Sequence, residues 1–255
     1  MVEIKQHMIS EIPVLELYEK GAEYSKLPVV IFYHGWESRK ERVLEQGFIL
    51  AKNGFRAILP EAMHHGERQK QDDKELNPMT FWNTVLANIQ EFPLIVDYYE
   101  KQQLLKKEEV NVAGLSFGGI TTSALLTQYD WIHTAAILMG SPSPKEFSLW
   151  TLKQFEKNGL PVSDLMDKES LLLKLDELEP ISLDKHPEKI ANRPIYIWHG
   201  KVDPTVPFHI TNDFVEQIKN EPYSENVVFE VSKNVGHEVP QEVTKAMTSF
   251  FKEQL

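Results

Sequence analysis

The chain has no cysteine, which excludes a disulfide scaffold, a cysteine zinc site and a thiol nucleophile. Basic side chains are the minority, 27 against 38 acidic for a net charge of −11. A surface of that sign repels phosphate backbones and anionic lipid, so neither nucleic acid nor a membrane is an expected partner. No stretch of 18 apolar residues occurs, and Met1-Val-Glu-Ile-Lys-Gln-His7 carries charges where a signal peptide needs an apolar core. A cytoplasmic location is expected. Internal repeats and low-complexity tracts are also missing. What remains is 255 residues, 42% hydrophobic and 25% charged, the profile of a single globular domain, 1–255, held by packing.

Short apolar runs alternate with longer amphipathic ones, the pattern of parallel strands joined by helices. Leu27-Pro-Val-Val-Ile-Phe-Tyr33 is continuously apolar, as a strand covered on both faces must be. After it, Ser38 and Glu41 have capping-box spacing, Val43, Leu44, Gly47, Phe48 and Ala51 share a helical face, and Asn53-Gly54 supplies a stop. Phe55–Pro60 forms the next strand, followed by a polar loop over 61–76. Asn77-Pro78 opens a long helix with Phe81, Val85, Ile89 and Phe92 inward and a kink at Pro93. Val110–Leu115, Thr134–Met139, Pro194–Trp198 and Asn226–Val231 complete the strand series, with helices predicted over 117–128, 207–219 and the C-terminal segment, the last with Val243, Ala246, Met247 and Phe250 inward. The first 25 residues are expected to add antiparallel strands at the sheet edge, where Pro13 is tolerated. Residues 142–190 break the alternation with five prolines and helical apolar spacing at Phe147, Trp150 and Phe155. They are expected to form a helical cap inserted into the domain. The fold class is α/β, a mostly parallel doubly wound sheet with helices on both faces, and ligands in such sheets bind beyond the carboxyl ends of the strands.

At one of those ends lies Gly114-Leu-Ser116-Phe-Gly118-Gly119, a G-x-S-x-G directly after a strand and opening a helix, which is the context of a nucleophile elbow. The plainer reading is a serine that caps a helix. A serine hydroxyl needs a base, and the base needs an orienting group. Asp203, in Trp198-His-Gly-Lys-Val-Asp203, and His237, in Asn234-Val-Gly-His237, both follow strands, 87 residues apart from Ser116 to the acid and 34 from the acid to the histidine. The chain order Ser, Asp, His is that of an α/β-hydrolase. Two backbone N–H groups are expected to form the oxyanion hole, that of Phe117 and that of Trp36 in the turn His34-Gly35-Trp36.

These residues resemble the α/β-hydrolase superfamily, in particular the small bacterial carboxylesterases related to dienelactone hydrolases and to the catalytic domains of prolyl oligopeptidases. The resemblance covers His34-Gly35, Pro60-Glu-Ala-Met-His-His-Gly66, the serine motif, His199-Gly-x-x-Asp203-x-x-Val206-Pro207 and His237. It implies a serine hydrolase acting on carboxylic esters with Ser116, Asp203 and His237 as its triad and no cofactor. Two departures limit it: dienelactone hydrolases use a cysteine nucleophile, and prolyl oligopeptidases carry a propeller for which this length leaves no room.

The expected substrate is a small ester of short to medium acyl chain, with Trp36 flooring the acyl pocket. His65, Trp150 and Phe147 are the candidate substrate contacts. A metal at His64-His65 with Glu67 is not expected, since adjacent residues rarely ligate one ion. His65 and Arg68 instead line the cleft or brace the oxyanion turn, and His34 and His199 are expected to be structural. Asp97, Asp130 and Asp184 are rival acids without the required position. Lys106-Lys107 before Glu108-Glu109 forms a solvated helix end. Amide or thioester hydrolysis, and a binding module that has lost catalysis, are the alternative functions.

Overall fold

The structure, a computed structural model, describes residues 1–70, 78–105, 109–159 and 168–255. Eight strands form one sheet: β1 (Val2–Ile9), β2 (Ile12–Glu19), β3 (Val29–Tyr33), β4 (Arg56–Pro60), β5 (Val110–Leu115), β6 (Thr134–Leu138), β7 (Ile195–Gly200) and β8 (Val227–Ser232). Their order is β1-β2-β4-β3-β5-β6-β7-β8. The β1–β2 and β2–β4 pairings are antiparallel and all others parallel. The helices are α1 (Leu44–Lys52), α2 (Pro78–Lys101), α3 (Phe117–Gln128), α4 (Pro144–Lys157), α5 (Lys168–Asp176), α6 (Phe208–Ile218) and α7 (Gln241–Glu253). This is the α/β architecture expected, with helices on both faces. Among the described residues no helix is long and apolar enough to cross a membrane.

Alternation along β3 explains its unbroken apolar run. Val29, Ile31 and Tyr33 join the core beneath α2, α3 and α6, while Val30 and Phe32 join the core beneath α1 and α7. The edge strand β8 is only half-buried. At the other side the antiparallel hairpin is tied down by Arg56, which is fully buried. Its guanidinium pairs with Glu16 and donates to the carbonyls of Ala22, Glu23 and Ser25 at 2.9–3.1 Å.

Glycine sets how closely α3 approaches the sheet. A β-carbon on Gly118 would lie 2.2 Å from the Tyr33 carbonyl oxygen, and one on Gly114 would lie 2.3 Å from the backbone of Gly118. The helix therefore rests backbone to backbone on β3 and β5, and the loop after β5 has no room for any other course.

The structure departs from expectation around α1. No capping box forms: the helix starts at Leu44 after a 3-10 turn over Lys40–Val43, and Arg39 ahead of it makes no side-chain cap. The reason is a competing, distant acceptor, since the Lys40 amide N–H donates to Glu61 Oε1 at 3.0 Å. With that start, Gln46, Gly47, Leu50 and Ala51 face inward and Phe48 is 48% exposed. In α7 it is Phe251 that is buried, with Phe250 half-buried beside it. Pro93 lies inside α2, which continues through it. Asn77, Lys106-Lys107-Glu108, residues 71–76 of the expected loop and 160–167 of the expected cap lie outside the described residues.

Because the Gly118 contact is with backbone, which cannot swing aside, Gly118→Ala is expected to cost more than about 4 kcal/mol. A urea melt beside the wild type checks this. A loss under about 1 kcal/mol would contradict the close approach.

Candidate active site

Ser116 stands between β5 and α3 with φ 56° and ψ −119°, a left-handed conformation that a non-glycine residue holds only when its surroundings force it. The forcing contacts are the Ser116 N–H to the Leu138 carbonyl, 2.9 Å, and the Ile120 N–H to the Ser116 carbonyl, 2.9 Å. The side chain makes no helix-capping bond, so the plain-cap reading fails. Its Oγ instead lies 2.8 Å from His237 Nε2.

His237 arrives on the loop after β8. Gly200 admits that loop, since a β-carbon there would lie 2.4 Å from the Val235 carbonyl oxygen, and the Val202 N–H holds it by donating to the same oxygen. Asp203 sits in the turn after β7, its side chain fully buried. Its Oδ1 accepts the N–H groups of Thr205 at 2.8 Å and Val206 at 3.0 Å. Its Oδ2 lies 2.7 Å from His237 Nδ1 and 3.5 Å from His199 Nε2. Burial alone would raise this carboxyl's pKa. The hydrogen bonds from His199, His237 and the two amides outweigh it and hold the group well below the usual carboxylate range. A carboxylate on Nδ1 fixes the neutral imidazole as the Nδ1–H tautomer, leaving Nε2 to accept the serine proton.

The turn after β3 completes this edge of the sheet. Gly35 lies against Leu115 and Ser116, a β-carbon on it falling 3.8 Å from that of the serine. Glu37 is left-handed at φ 54°. Its N–H donates to His65 Nε2 at 3.0 Å, while His65 Nδ1 donates to the Met63 carbonyl at 2.7 Å. Both nitrogens of His65, singled out for substrate contact, are therefore engaged within the turn, and the residue is buried. Around it the rings of Trp36, Phe81, Phe117 and Phe147 form one continuous set. Phe81 lies 5.0 Å from Trp36, 5.2 Å from Phe117 and 5.8 Å from Phe147, centroid to centroid. The Trp82 indole N–H donates to Ser148 Oγ, 3.0 Å, joining α2 to α4. Trp150 is half-buried and makes none of the ring contacts found among the described residues.

Beneath the turn lies a buried charge cluster that sequence reasoning missed. Lys40 Nζ, fully buried, meets Glu61 Oε2 at 3.0 Å, Glu41 at 2.9 Å and Glu67. His34 Nε2 lies 3.2 Å from Glu61 Oε1 and accepts the Ala62 N–H. The carboxylates of Glu41, Glu61 and Glu67 have the spacing of a metal site, but the ammonium of Lys40 already sits among them. Burial would raise the Glu61 pKa, yet the neighbouring His34 and the hydrogen bonds from Lys40 bring it down to about 2. Burial likewise opposes the charge on Lys40, and hydrogen bonds to Glu67, Glu41 and Glu61 reverse the effect and raise its pKa. No local pattern signals the pair, because Lys40 and Glu61 are 21 residues apart and Lys40 stands among polar neighbours.

A doubly wound sheet with this serine, histidine and aspartate at its carboxyl edge defines an α/β-hydrolase. The prolyl oligopeptidase family model matches residues 84–255, more than half of the chain, and the chain belongs to that family as a serine hydrolase. It is 36% identical to the Bacillus subtilis protein named "Putative esterase YitV" and 28% identical to Esterase YjfP of Escherichia coli, each over 100% of both chains. Among solved structures it resembles TT1662 from Thermus thermophilus, with TM-score 0.78 at 17% identity, covering 100% of this chain and 98% of that one.

Two consequences of the buried cluster are measurable. Lys40→Met leaves Glu61 buried without its cation and should cost about 3–5 kcal/mol. A carboxyl whose folded pKa is depressed adds stability above its unfolded value and loses it as pH falls through the folded one. Glu61 therefore contributes to a loss of wild-type stability between pH 4.5 and about 2, and Glu61→Gln should flatten urea midpoints across that window. An unchanged pH dependence would refute the assignment.

Proposed function

We propose that the protein hydrolyses carboxylic esters of short to medium acyl chain through a serine acyl-enzyme. The observation that carries this reading is the unbroken hydrogen-bond chain from Ser116 Oγ through His237 to Asp203. Ser116 attacks the ester carbonyl as His237 Nε2 takes its proton. His237 then protonates the departing alkoxide, and Asp203 orients the ring and stabilises its charged form. Water attacks the acyl-enzyme through the same base and releases the acid. The N–H groups of Phe117, the residue after Ser116, and of Trp36, the residue after the Gly35 that packs against Ser116, serve as the oxyanion donors. Phe117 stands at the amino end of α3, where the helix terminus adds a favourable field.

The ring set of Trp36, Phe81, Phe117 and Phe147 supports an apolar acyl pocket. Phe147 and Trp150 belong to the segment 142–190, which acts as the cap and whose α4 packs on α2 through Trp82 and Ser148. Two relatives that match over the full length carry the word esterase in their names, which favours the ester over the amide or thioester.

Nitrophenyl acetate, butyrate and octanoate, assayed with wild type and Ser116→Ala, test the reading. The variant should lose on the order of 10⁴–10⁶ in kcat, with butyrate at least matching octanoate. Asp203→Asn should lose on the order of 10⁴ by holding the wrong tautomer. Equal rates for wild type and Ser116→Ala would overturn the mechanism. Faster turnover of matched nitroanilides would move the assignment to amides.

A further inference from the structure

The turn Gly35-Trp36-Glu37 presents one of the two oxyanion amides, yet its backbone is not held by the sheet. β3 ends at Tyr33, and Glu37, immediately after the donor, sits at φ 54°. A non-glycine residue in that region costs on the order of 1–3 kcal/mol and needs something to hold it there. The hydrogen bond from the Glu37 N–H to His65 Nε2, 3.0 Å, spans 28 residues. It fixes the Trp36–Glu37 peptide plane, next to the Gly35–Trp36 plane that carries the Trp36 N–H. The His65 ring is itself fixed: Nδ1 is committed to the Met63 carbonyl, one face stacks on Phe117 at 5.9 Å and 21°, and its edge meets Trp36 at 4.6 Å. One imidazole thus touches the residues that carry both oxyanion amides and bonds the backbone beside one of them.

We infer that His65 is a positioning residue for catalysis, aligning the oxyanion turn through an accepted hydrogen bond from the Glu37 amide. The inference rests on the serine mechanism proposed above. It requires His65 in its neutral form, because a proton on Nε2 would set N–H against N–H and release Glu37. Burial favours that neutral form and lowers the pKa from its ordinary 6.5. The groups that face the ring divide in their effect: the Met63 carbonyl and Glu61 favour protonation, and His34 and His64 oppose it. The side chain of Glu37 itself is on the exposed side of the turn. Acid is thus expected to act on the reaction through His65, by loosening the turn.

Glutamine and asparagine separate the two ring nitrogens. The amide of a glutamine falls where Nε2 lies and can accept from Glu37, whereas that of an asparagine falls where Nδ1 lies and cannot reach it. For nitrophenyl butyrate, His65→Gln should keep kcat within about 5-fold of wild type. His65→Asn should lose on the order of 10- to 100-fold in kcat, somewhat less than deletion of an oxyanion donor, with KM changed less than about 3-fold. As the pH falls below 6.5, the wild-type kcat should fall up to about 10- to 100-fold further than that of His65→Gln.

Equal kcat for the two variants, a loss confined to KM, or the same acid fall in kcat for wild type and His65→Gln would overturn the role. If His65→Asn does not fold by circular dichroism, the size of the acid fall in wild type against His65→Gln decides alone. Ser116→Ala in parallel separates the two levels. If it retains activity, the serine mechanism itself has failed. If it is dead while the His65 variants match wild type, only the positioning role has failed.

Discussion

The first turn of helix α3 lies on the sheet with no β-carbon between them, and the geometry around Ser116 follows from that approach. Gly114, Gly118 and Gly119 each face backbone at distances that a β-carbon could not occupy, Gly119 against Leu138 and Gly140. Forced into so short a turn, the chain between β5 and α3 holds Ser116 at φ 56°, with its side chain clear of the helix end. The same device recurs at Gly200, where an absent β-carbon lets the His237 loop cross the end of β7. The serine and the histidine thus meet because these backbone crossings are made at van der Waals contact, and strain at one residue is held by close packing at its neighbours.

The edge is also unusual in how much charge it buries. Asp203 and Glu61 are both carboxylates without side-chain exposure, and both are kept ionised by donors that surround them. Their tasks differ. Asp203 fixes the tautomer of the histidine that serves the serine. Glu61 caps the start of the 3-10 turn at Lys40 and binds the Lys40 ammonium, joining the loop after β3 to the loop after β4. Buried ion pairs contribute little net stability against an apolar replacement but are costly to break singly. Such a network serves to fix one arrangement of the two loops around the turn Gly35-Trp36-Glu37.

Much of this was legible in the chain itself. Strand β3, the elbow helix α3, which spans 117–128 as its pattern predicts, and the Ser, Asp, His order are written in local signals: an apolar run, a glycine-bounded serine, motifs that follow strands. The start of α1 was not, because a local capping box at Ser38 and Glu41 lost to a carboxylate far along the chain, and Phe48 turned outward with it. Nor was the Lys40–Glu61 pair, since a buried lysine among Ser, Arg and Glu looks like any solvated one. His65 shows the limit most clearly. Its motif marks the loop as part of the cleft, but which partner each ring nitrogen takes is a tertiary fact, decided by the Glu37 amide and the Met63 carbonyl.

The account stands on Ser116 as the atom that carries the acyl group. Mixing the protein with nitrophenyl butyrate for milliseconds, quenching in acid and mapping peptides by mass spectrometry tests this directly. The account predicts a butyryl adduct on the peptide containing Ser116, forming with the burst of nitrophenol and disappearing as substrate is exhausted. Ester turnover with no adduct at Ser116, or with the acyl group on another residue, would contradict it.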